Sequence, residues 1–316
     1  MIVALAGGVG GARLAVGLAA ALPPSRLTVV VNTGDDFEHL GFAISPDLDT
    51  VMYTLAGVNN PASGWGRAHE TWNFMSALGA LGGETWFRLG DRDLAVHVLR
   101  TLALQRGATL SEFTHALAKR FGIRHNILPM SDSPVRTRVL TSRGELAFQD
   151  YFVRRRCAPR VTGFRYRGSR KAGIAPELQK IVRTRIVRAV VICPSNPYLS
   201  VAPILSVSEI RAWIKQRNFP VVAVSPIVGG AALKGPAAKM MRELGCEATA
   251  LGVVRHYDAC VDGWVIDRRD AKLQRAIERE GKTVIVADTI MSNRRKSAQL
   301  ARRVVALAQA LASQRR

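Results

Sequence analysis

Residues 2–32 read IVALAGGVGGARLAVGLAAALPPSRLTVVVN, and this stretch decides the fold. Its first five residues are all apolar and predict a short buried strand, and the glycine-rich segment 7–12 follows as a predicted loop. A helix is expected from Arg13 until two consecutive prolines, which cannot continue it. The apolar run 27–32 predicts a second strand. These elements make one βαβ unit, which favours parallel strands and a right-handed crossover.

The same alternation of apolar strands and helices returns from about residue 186 and continues to a closing amphipathic helix. The sequence therefore predicts an α/β fold, a Rossmann-like, mostly parallel sheet with helices on both faces. Residues 1–57 and 186–316 are expected to form this core. Residues 58–185, which are less regular, are expected to form an inserted, smaller α+β region that caps it.

The composition indicates a globular protein, and its charge fits either anionic ligands or a solvated basic surface. The chain has 316 residues, of which 48% are hydrophobic, and this is enough for a large core. Its 45 Lys and Arg against 24 Asp and Glu give a formal charge of +21, which suits phosphates, nucleic acid or a membrane surface. The charge alone supports a nucleic-acid-binding protein. Since no helix-turn-helix, zinc-finger or aromatic RNA motif is found in the sequence, we expect no nucleic-acid partner.

The location of the protein is predicted from what the sequence lacks. Its four cysteines are scattered, without the spacing of a zinc site or a disulfide framework. No basic leader precedes the first strand, and no apolar run approaches the ~20 residues that a membrane span needs. We expect a cytoplasmic protein with no membrane span.

Three segments that follow predicted strands are candidates for a phosphate site. They are the glycine segment 7–12, Pro194–Pro197 and Ser225–Gly230. The carboxyl ends of parallel strands meet at one edge of a sheet, where ligands bind, so these segments should converge on one ligand. Arg13 stands where the dinucleotide fingerprint needs glycine, and no segment ends in Gly-Lys-Ser/Thr. A nicotinamide dehydrogenase and an ordinary P-loop enzyme are therefore disfavoured.

Residues 32–50, NTGDDFEHLGFAISPDLDT, gather five carboxylates after the second predicted strand. Mg²⁺ takes carboxylate ligands and bridges phosphate oxygens, so Asp35 and Asp36 are predicted metal ligands. Asp49 is predicted either to bind metal or to accept a hydrogen bond from a substrate hydroxyl. Asp47 is expected only to complement the dipole of the helix that begins there.

Taken together, these segments resemble the 2-phospho-L-lactate transferases of deazaflavin coenzyme (coenzyme F-420) biosynthesis. The similarity extends over nearly the whole chain. It rests on AGGVGGARL, NTGDDFEHLGFAISPDLDTVMYTLAG, WFRLGDRDLA, LPMSDSPVRT, PSNPYLSVAPIL and SPIVGGAALKGP.

The resemblance implies a Mg²⁺-dependent, phosphodiester-forming reaction. A three-carbon acid phosphate moves from a guanosine diphosphate-linked donor to 8-hydroxy-5-deazariboflavin, and GMP leaves. It also implies that Asp49 and Arg88 hold the acceptor, that Asp49 is the candidate catalytic residue, and that the inserted region binds the acceptor. The residues implied around the donor nucleotide and its phosphates are Gly7, Gly8, Gly10, Gly11, Ser195, Asn196, Gly229 and Gly230. Phospholactate, phosphoenolpyruvate and phosphoglycerate donors remain open.

The alternative prediction is a regulator of the same superfamily, which binds nucleotide sugars and acts in gluconeogenesis and cell shape. It would share the glycine segment and the acidic stretch. The cluster WFRLGDRD at 86–93, with aromatic rings beside arginines, favours the transferase because it suits a flat ring with polar edges. The partners expected are small-molecule substrates, and a homodimer is expected from base rates.

Overall fold

The computed structural model describes residues 1–257 and 260–315, and β-strands and α-helices alternate over most of this length. The strands are β1 (Ile2–Ala6), β2 (Leu27–Val31), β3 (Phe37–His39), β4 (Phe42–Ile44), β5 (Asn126–Pro129), β6 (Arg136–Thr141), β7 (Gly144–Ala147), β8 (Val161–Arg167), β9 (Ala189–Ile192), β10 (Val221–Val224), β11 (Ile227–Val228), β12 (Ala231–Ala232), β13 (Gly263–Asp267) and β14 (Thr283–Ala287). The α-helices are α1 (Gly8–Ala21), α2 (Pro46–Ala56), α3 (Asn73–Ala80), α4 (Asp91–Gln105), α5 (Leu110–Arg120), α6 (Pro176–Arg183), α7 (Ala202–Ser206), α8 (Ser208–Lys215), α9 (Ala237–Glu243), α10 (Ala250–Tyr257), α11 (Gln274–Arg279) and α12 (Arg294–Gln314).

The central sheet has seven strands in the order β14-β13-β10-β9-β1-β2-β5. Every pair in it is parallel. From the middle of the sheet to one edge the order is β1, β2 and β5, and from the middle to the other edge it is β9, β10, β13 and β14. This is the Rossmann order, whose switch point lies between β1 and β9. The predicted fold class is confirmed.

Helices cover both faces of the sheet because its strands are apolar on both sides. Along β1, Val3 and Leu5 point into one core, and Ile2, Ala4 and Ala6 point into the other. The first core is completed by apolar side chains of α6, α8, α10 and α11. The second is completed by those of α1, α2, α5 and α12.

Helix α1 begins earlier than the sequence predicts. The glycine segment was expected to be a loop before a helix from Arg13, but α1 starts at Gly8 and includes the glycines at 10 and 11. These glycines serve close packing and not a loop conformation. A Cβ on Gly10 would clash with the carbonyl oxygen of Pro194, and one on Gly11 would lie 2.6 Å from Ser195 Oγ. Only glycine lets this helix approach the segment after β9.

Part of the predicted insertion belongs to the central sheet. Strand β5 lies within residues 58–185, yet it pairs with β2 and forms the sheet edge. Helix α5 packs on the same core as α1. Strand pairing therefore divides the chain differently from the predicted boundaries. The remainder includes the hairpin β6–β7, to which β8 adds an antiparallel edge strand.

The ends of α2 follow the sequence closely. Pro46 takes the first helical position, and Gly57 ends the helix with a φ of +74°. Ser45 occupies the N-cap position, but its Oγ donates to the Asp36 carboxylate instead of capping the helix. Among the described residues, no helix is both long and apolar enough to cross a bilayer.

Candidate functional site

A cavity of about 540 Å³ opens over the switch point of the sheet. Its wall combines the start of α1, the start of α2, the segment after β9 and the segment after β10. All three predicted phosphate segments thus reach the cavity, and the first two of them are about 190 residues apart in the chain. This volume lies in the usual range of ~300–1,000 Å³ for small-molecule sites.

The first turn of α1 forms one wall of this cavity, through Gly7, Gly8, Val9 and Gly10. A Cβ on Gly7 would lie 2.6 Å from the Cβ of Ser200, so a side chain there would push the walls apart. Gly11 does not line the cavity and serves the packing described above. A helix N-terminus that is rich in glycine can bring its N–H groups close to an anion.

Ser195 and Asn196 line the cavity, and Ser195 also joins two of its walls. Ser195 Oγ donates to Gly7 O at 2.8 Å and accepts from Gly7 N at 3.2 Å. Asn196 Oδ1 accepts from the backbone N–H groups of Tyr198 and Leu199 at 3.0 and 3.2 Å. Ser195 thus fixes the two segments against each other, and Asn196 caps the turn that follows it. The first effect of both residues on a ligand is to shape its site.

Asp47 does more than the sequence suggested. Its Oδ1 accepts from Gly8 N at 2.7 Å, and its Oδ2 accepts from Asn32 Nδ2 at 2.9 Å. The carboxylate is thus part of the cavity wall and occupies the first N–H of α1. Burial raises its pKa to about 6. An expectation based on the helix dipole of α2 alone missed this contact, because the approach of α2 to α1 is a tertiary feature.

Of the two predicted metal ligands, Asp35 lines the cavity and Asp36 does not. Asp35 Oδ1 is buried without a hydrogen-bond partner. Burial and the nearby charge of Asp47 raise the pKa of Asp35 well above its usual value. Asp36 accepts from Ser45 Oγ at 2.9 Å, and burial raises its pKa to about 7. Both carboxyls are therefore costly to ionise unless a cation joins them.

Asp49 lies in the first turn of α2 and lines the same cavity, 4% exposed. Its Oδ1 accepts a hydrogen bond from Nη2 of Arg100, a fully buried residue of α4. Its Oδ2 has no hydrogen-bond partner. Burial raises the pKa of Asp49, and the charge of Arg100 opposes this rise. One oxygen of the carboxylate is therefore fixed and the other is available to a ligand.

Helix α4 adds two cavity residues: Asp93, which ends the predicted cluster at 86–93, and His97, which the sequence analysis did not select. His97 Nδ1 lies 3.7 Å from Asp49 Oδ2, and His97 Nε2 lies 3.6 Å from Asp93 Oδ1. Tyr53 donates to Asp93 Oδ1 at 2.6 Å. Asp49, Asp93 and His97 could hold a metal ion, since their ligand atoms lie within 4.8 Å of one another.

The predicted acceptor residue Arg88 lies on the cavity wall beside Phe87. Its guanidinium stacks on Trp72, 4.1 Å from the ring centroid. Phe87 packs edge-on against Phe37 with the centroids 4.8 Å apart. Two further rings, Phe148 and Phe152, also line the cavity. This side of the site combines aromatic surface with a cation, which suits a flat ring with polar edges.

The third predicted segment reaches the site only in part. Gly229 and Gly230 form the tight turn between β11 and β12 and do not line the cavity. The N–H of Gly229 donates to the Asp270 carboxylate at 3.0 Å, so it is already engaged. Val228 before the turn and Lys234 after it do line the cavity. The residues on either side of the turn thus form part of the cavity wall, and the turn itself lies behind them.

The sheet order and the cavity at its switch point define a Rossmann-like α/β protein with a ligand site at the carboxyl edge of its strands. The family model described as 2-phospho-L-lactate transferase CofD matches residues 2–307. The chain therefore belongs to the 2-phospho-L-lactate transferase family, and the resemblance found in the sequence is confirmed.

Relatives over the full length carry two different names. The chain is 40% identical over 304 residues to a 2-phospho-L-lactate transferase of Methanosarcina mazei, covering 96% of this chain and 99% of that protein. It is 41% identical over 314 residues to a phosphoenolpyruvate transferase of Streptomyces griseus, covering 98% of each. The prediction of a transferase of coenzyme F-420 biosynthesis is confirmed at the level of the family.

A solved structure shares the fold. It is the crystal structure of a member of the UPF0052 family from Bacillus halodurans, with a TM-score of 0.61 over 96% of this chain and 98% of that one. The two sequences are 14% identical. This similarity shows the fold alone, and it carries no argument for the regulator that was the alternative prediction.

Proposed function

We propose that the protein transfers a phospho-three-carbon acid from a guanosine diphosphate-linked donor to 8-hydroxy-5-deazariboflavin. The terminal ribityl oxygen attacks the phosphorus that carries the acid. The bond from that phosphorus to the bridging oxygen of GMP breaks, GMP leaves, and the hydroxyl proton is lost. Such a transfer needs positioning and charge stabilisation more than a covalent nucleophile.

One observation carries this proposal: the glycine segment at Gly8 and the pair Asp49 and Arg88 line the same cavity. The proposed donor and acceptor sites are thus two ends of one space. A phosphorus bound near the start of α1 and a hydroxyl bound near Asp49 would face each other without a large domain movement.

Asp49 has the geometry to receive the acceptor hydroxyl. Arg100 holds one of its oxygens, and the other is unpartnered. The raised pKa of Asp49, caused by burial, makes it a stronger base than an exposed aspartate. We propose that Oδ2 accepts the ribityl hydroxyl and takes its proton. Arg88 and the neighbouring rings would hold the deazaflavin ring.

A divalent cation fits the donor end of the cavity. The charged side chains on the cavity wall are three cationic ones and four carboxylates, together with one histidine. A diphosphate would add negative charge beside Asp35 and Asp47. The unpartnered Asp35 Oδ1 is suited to a hard cation such as Mg²⁺. When bound, Mg²⁺ would neutralise charge on the phosphate oxygens. The alternative group at His97 suits Mg²⁺ less, because imidazole favours softer metals and Arg100 already pairs with Asp49.

The decisive experiment supplies the acceptor, Mg²⁺ and each guanylylated acid in turn: phospholactate, phosphoenolpyruvate and phosphoglycerate forms. Mass spectrometry should detect one deazaflavin phosphodiester together with GMP in equal amount. Relatives of both names are about equally similar to this chain, so the identity of the acid has to be measured. Absence of product with all three donors would overturn the proposal.

The cation is tested separately with Asp35→Asn. Mg²⁺ should raise the melting temperature of the parent protein and support turnover, and this variant should lose both effects. Asp288→Asn is a matched control, because Asp288 is exposed and pairs with Lys296 on the surface. An undiminished Mg²⁺ response in Asp35→Asn would remove Asp35 from the metal site. The homodimer remains a prediction, to be tested by light scattering.

A further inference from the structure

The loop at residues 59–67 places Trp65 on the wall of the cavity. An isolated antiparallel bridge between Asn59 and Arg67 closes this loop. Within it, Asn60 N donates to Gly66 O at 3.0 Å, and Ser63 Oγ donates to Trp65 O at 2.6 Å. A loop tied together in this way presents Trp65 from a fixed backbone.

The loop is fastened to both walls of the donor end. Lys234 Nζ donates to the carbonyl oxygen of Ser63 and lies 3.4 Å from that of Ala62. Gly64 packs on the first turn of α1, since a Cβ there would lie 2.6 Å from Val9 Cγ1. The backbone next to Trp65 is therefore held beside the glycine segment and the segment after β12.

Two large apolar side chains remain half-exposed where this loop meets the cavity. Trp65 is 54% exposed and Leu233 is 53% exposed, and both line the cavity. Leu233 precedes Lys234, which ties the two segments together. A pair of exposed apolar side chains on the wall of a cavity is suited to a flat ligand that would cover both.

We propose that Trp65 and Leu233 form the slot for the purine ring of the donor nucleotide. This inference rests on the proposed function, since it assigns the nucleoside end of the donor. With the diphosphate at the start of α1 and the acceptor at Asp49 and Arg88, the base needs a further part of the cavity wall. The loop that packs on Val9 supplies such a part next to the start of α1. Indole rings stack on purines, and stacking of this kind is a common source of nucleotide affinity.

The test measures binding and needs no turnover. The parent protein is titrated with GDP and with inorganic pyrophosphate in the presence of Mg²⁺, by calorimetry and by tryptophan emission. Trp65→Ala should weaken GDP binding about tenfold or more and leave pyrophosphate affinity unchanged, since only the ring is lost. Trp65→Phe should retain most of the affinity but lose the quenching of emission by GDP.

Trp213→Phe is the matched control, because Trp213 packs on Phe219 at 5.1 Å and does not line the cavity. It should keep both the affinity and the quenching. Leu233→Ala should also weaken GDP and spare pyrophosphate.

Three results would overturn the slot: unchanged GDP binding in Trp65→Ala, loss of deazariboflavin binding in place of GDP binding, or a parent protein that binds no GDP. If GDP binds through Trp65 but no donor is turned over, the slot is supported and the proposed transfer fails. The two proposals are therefore distinguishable.

Discussion

Arg100 and Asp49 form a buried ion pair between α4 and α2, and each side chain is at least 94% buried. Asp49 lines the cavity, whereas Arg100 does not. Arg100 contacts Asp49 and also donates to Ala43 O at 3.2 Å. The charge of Arg100 favours the ionised form of Asp49 and so opposes the effect of burial on its pKa. The pair therefore has two roles: it joins two helices, and it fixes one oxygen of the candidate catalytic carboxylate.

Replacing Arg100 by methionine should destabilise the protein strongly. Asp49 would remain buried with no opposite charge, and breaking such a pair costs about 3–5 kcal/mol. Denaturant unfolding followed by circular dichroism measures this loss. Arg165→Met is the control, because Arg165 is exposed and its bridge to Glu145 should be worth less than about 1 kcal/mol. Equal effects of the two variants would show that burial of the pair is unimportant.

Asp49→Asn should abolish transfer while the fold survives. The amide oxygen can still accept from Arg100, whereas Asp49→Ala would leave the guanidinium unpaired and confuse stability with catalysis. GDP affinity should stay within about twofold, because Asp49 lies at the proposed acceptor end. Product is measured by mass spectrometry and GDP binding by calorimetry. Full turnover by Asp49→Asn would exclude this carboxylate as the base.

Gly10→Ala should damage both the fold and donor binding. The new Cβ would meet the carbonyl oxygen of Pro194, so α1 must move from the segment after β9, at a cost of about 1–3 kcal/mol. Gly79→Ala is the control, because Gly79 also lies in a helix and its Cβ would make only an ordinary contact at 3.4 Å with Thr85. That change should leave stability equal or up to about 1 kcal/mol higher. Thermal melts and GDP titrations of both variants check this contrast.

Without Mg²⁺, stability should fall as the pH rises from 5 to 7. Burial raises the pKa of Asp36 to about 7, so the folded state binds more protons than the unfolded state between the unfolded value of ~4 and about 7. Rising pH therefore favours unfolding in this window, and Asp36→Asn should flatten the slope. Asp91→Asn should not, because hydrogen bonds from Thr71 and the start of α3 lower the pKa of Asp91. Melting temperatures at several pH values in EDTA measure both slopes. A rising slope in the parent protein would contradict this prediction.

The fold could be predicted largely from local patterns. Short apolar runs separated by helices gave the parallel sheet, and Pro46 and Gly57 marked the ends of α2. The start of α1 could not be predicted, because glycines usually end regular structure. Here the glycines allow the close approach of Pro194 and Ser195, which belong to a segment about 185 residues away. The pairing of β5 with β2 was missed for the same reason, since strand partners are not visible in local spacing.

The candidate site was predicted in part. Asp35, Asp49 and Arg88 line the cavity, and Asp35 and Asp49 do so because β2 and the start of α2 end at the sheet edge. His97 was missed, although its spacing from Asp93 and Arg100 would have shown that all three share one face of α4. What that face meets depends on how α4 packs against α2, and no local pattern contains this.

The position of β1 between β2 and β9 has a consequence for biosynthesis. The first strand leaves the ribosome early, but one of its two neighbours begins at Ala189. At ~5–20 residues per second, β1 must wait on the order of 10 s or more with one edge unpaired. A nascent chain stalled before that point would expose this edge to other polypeptides. Until the second half emerges, any polypeptide that pairs with this edge competes with β9 for it.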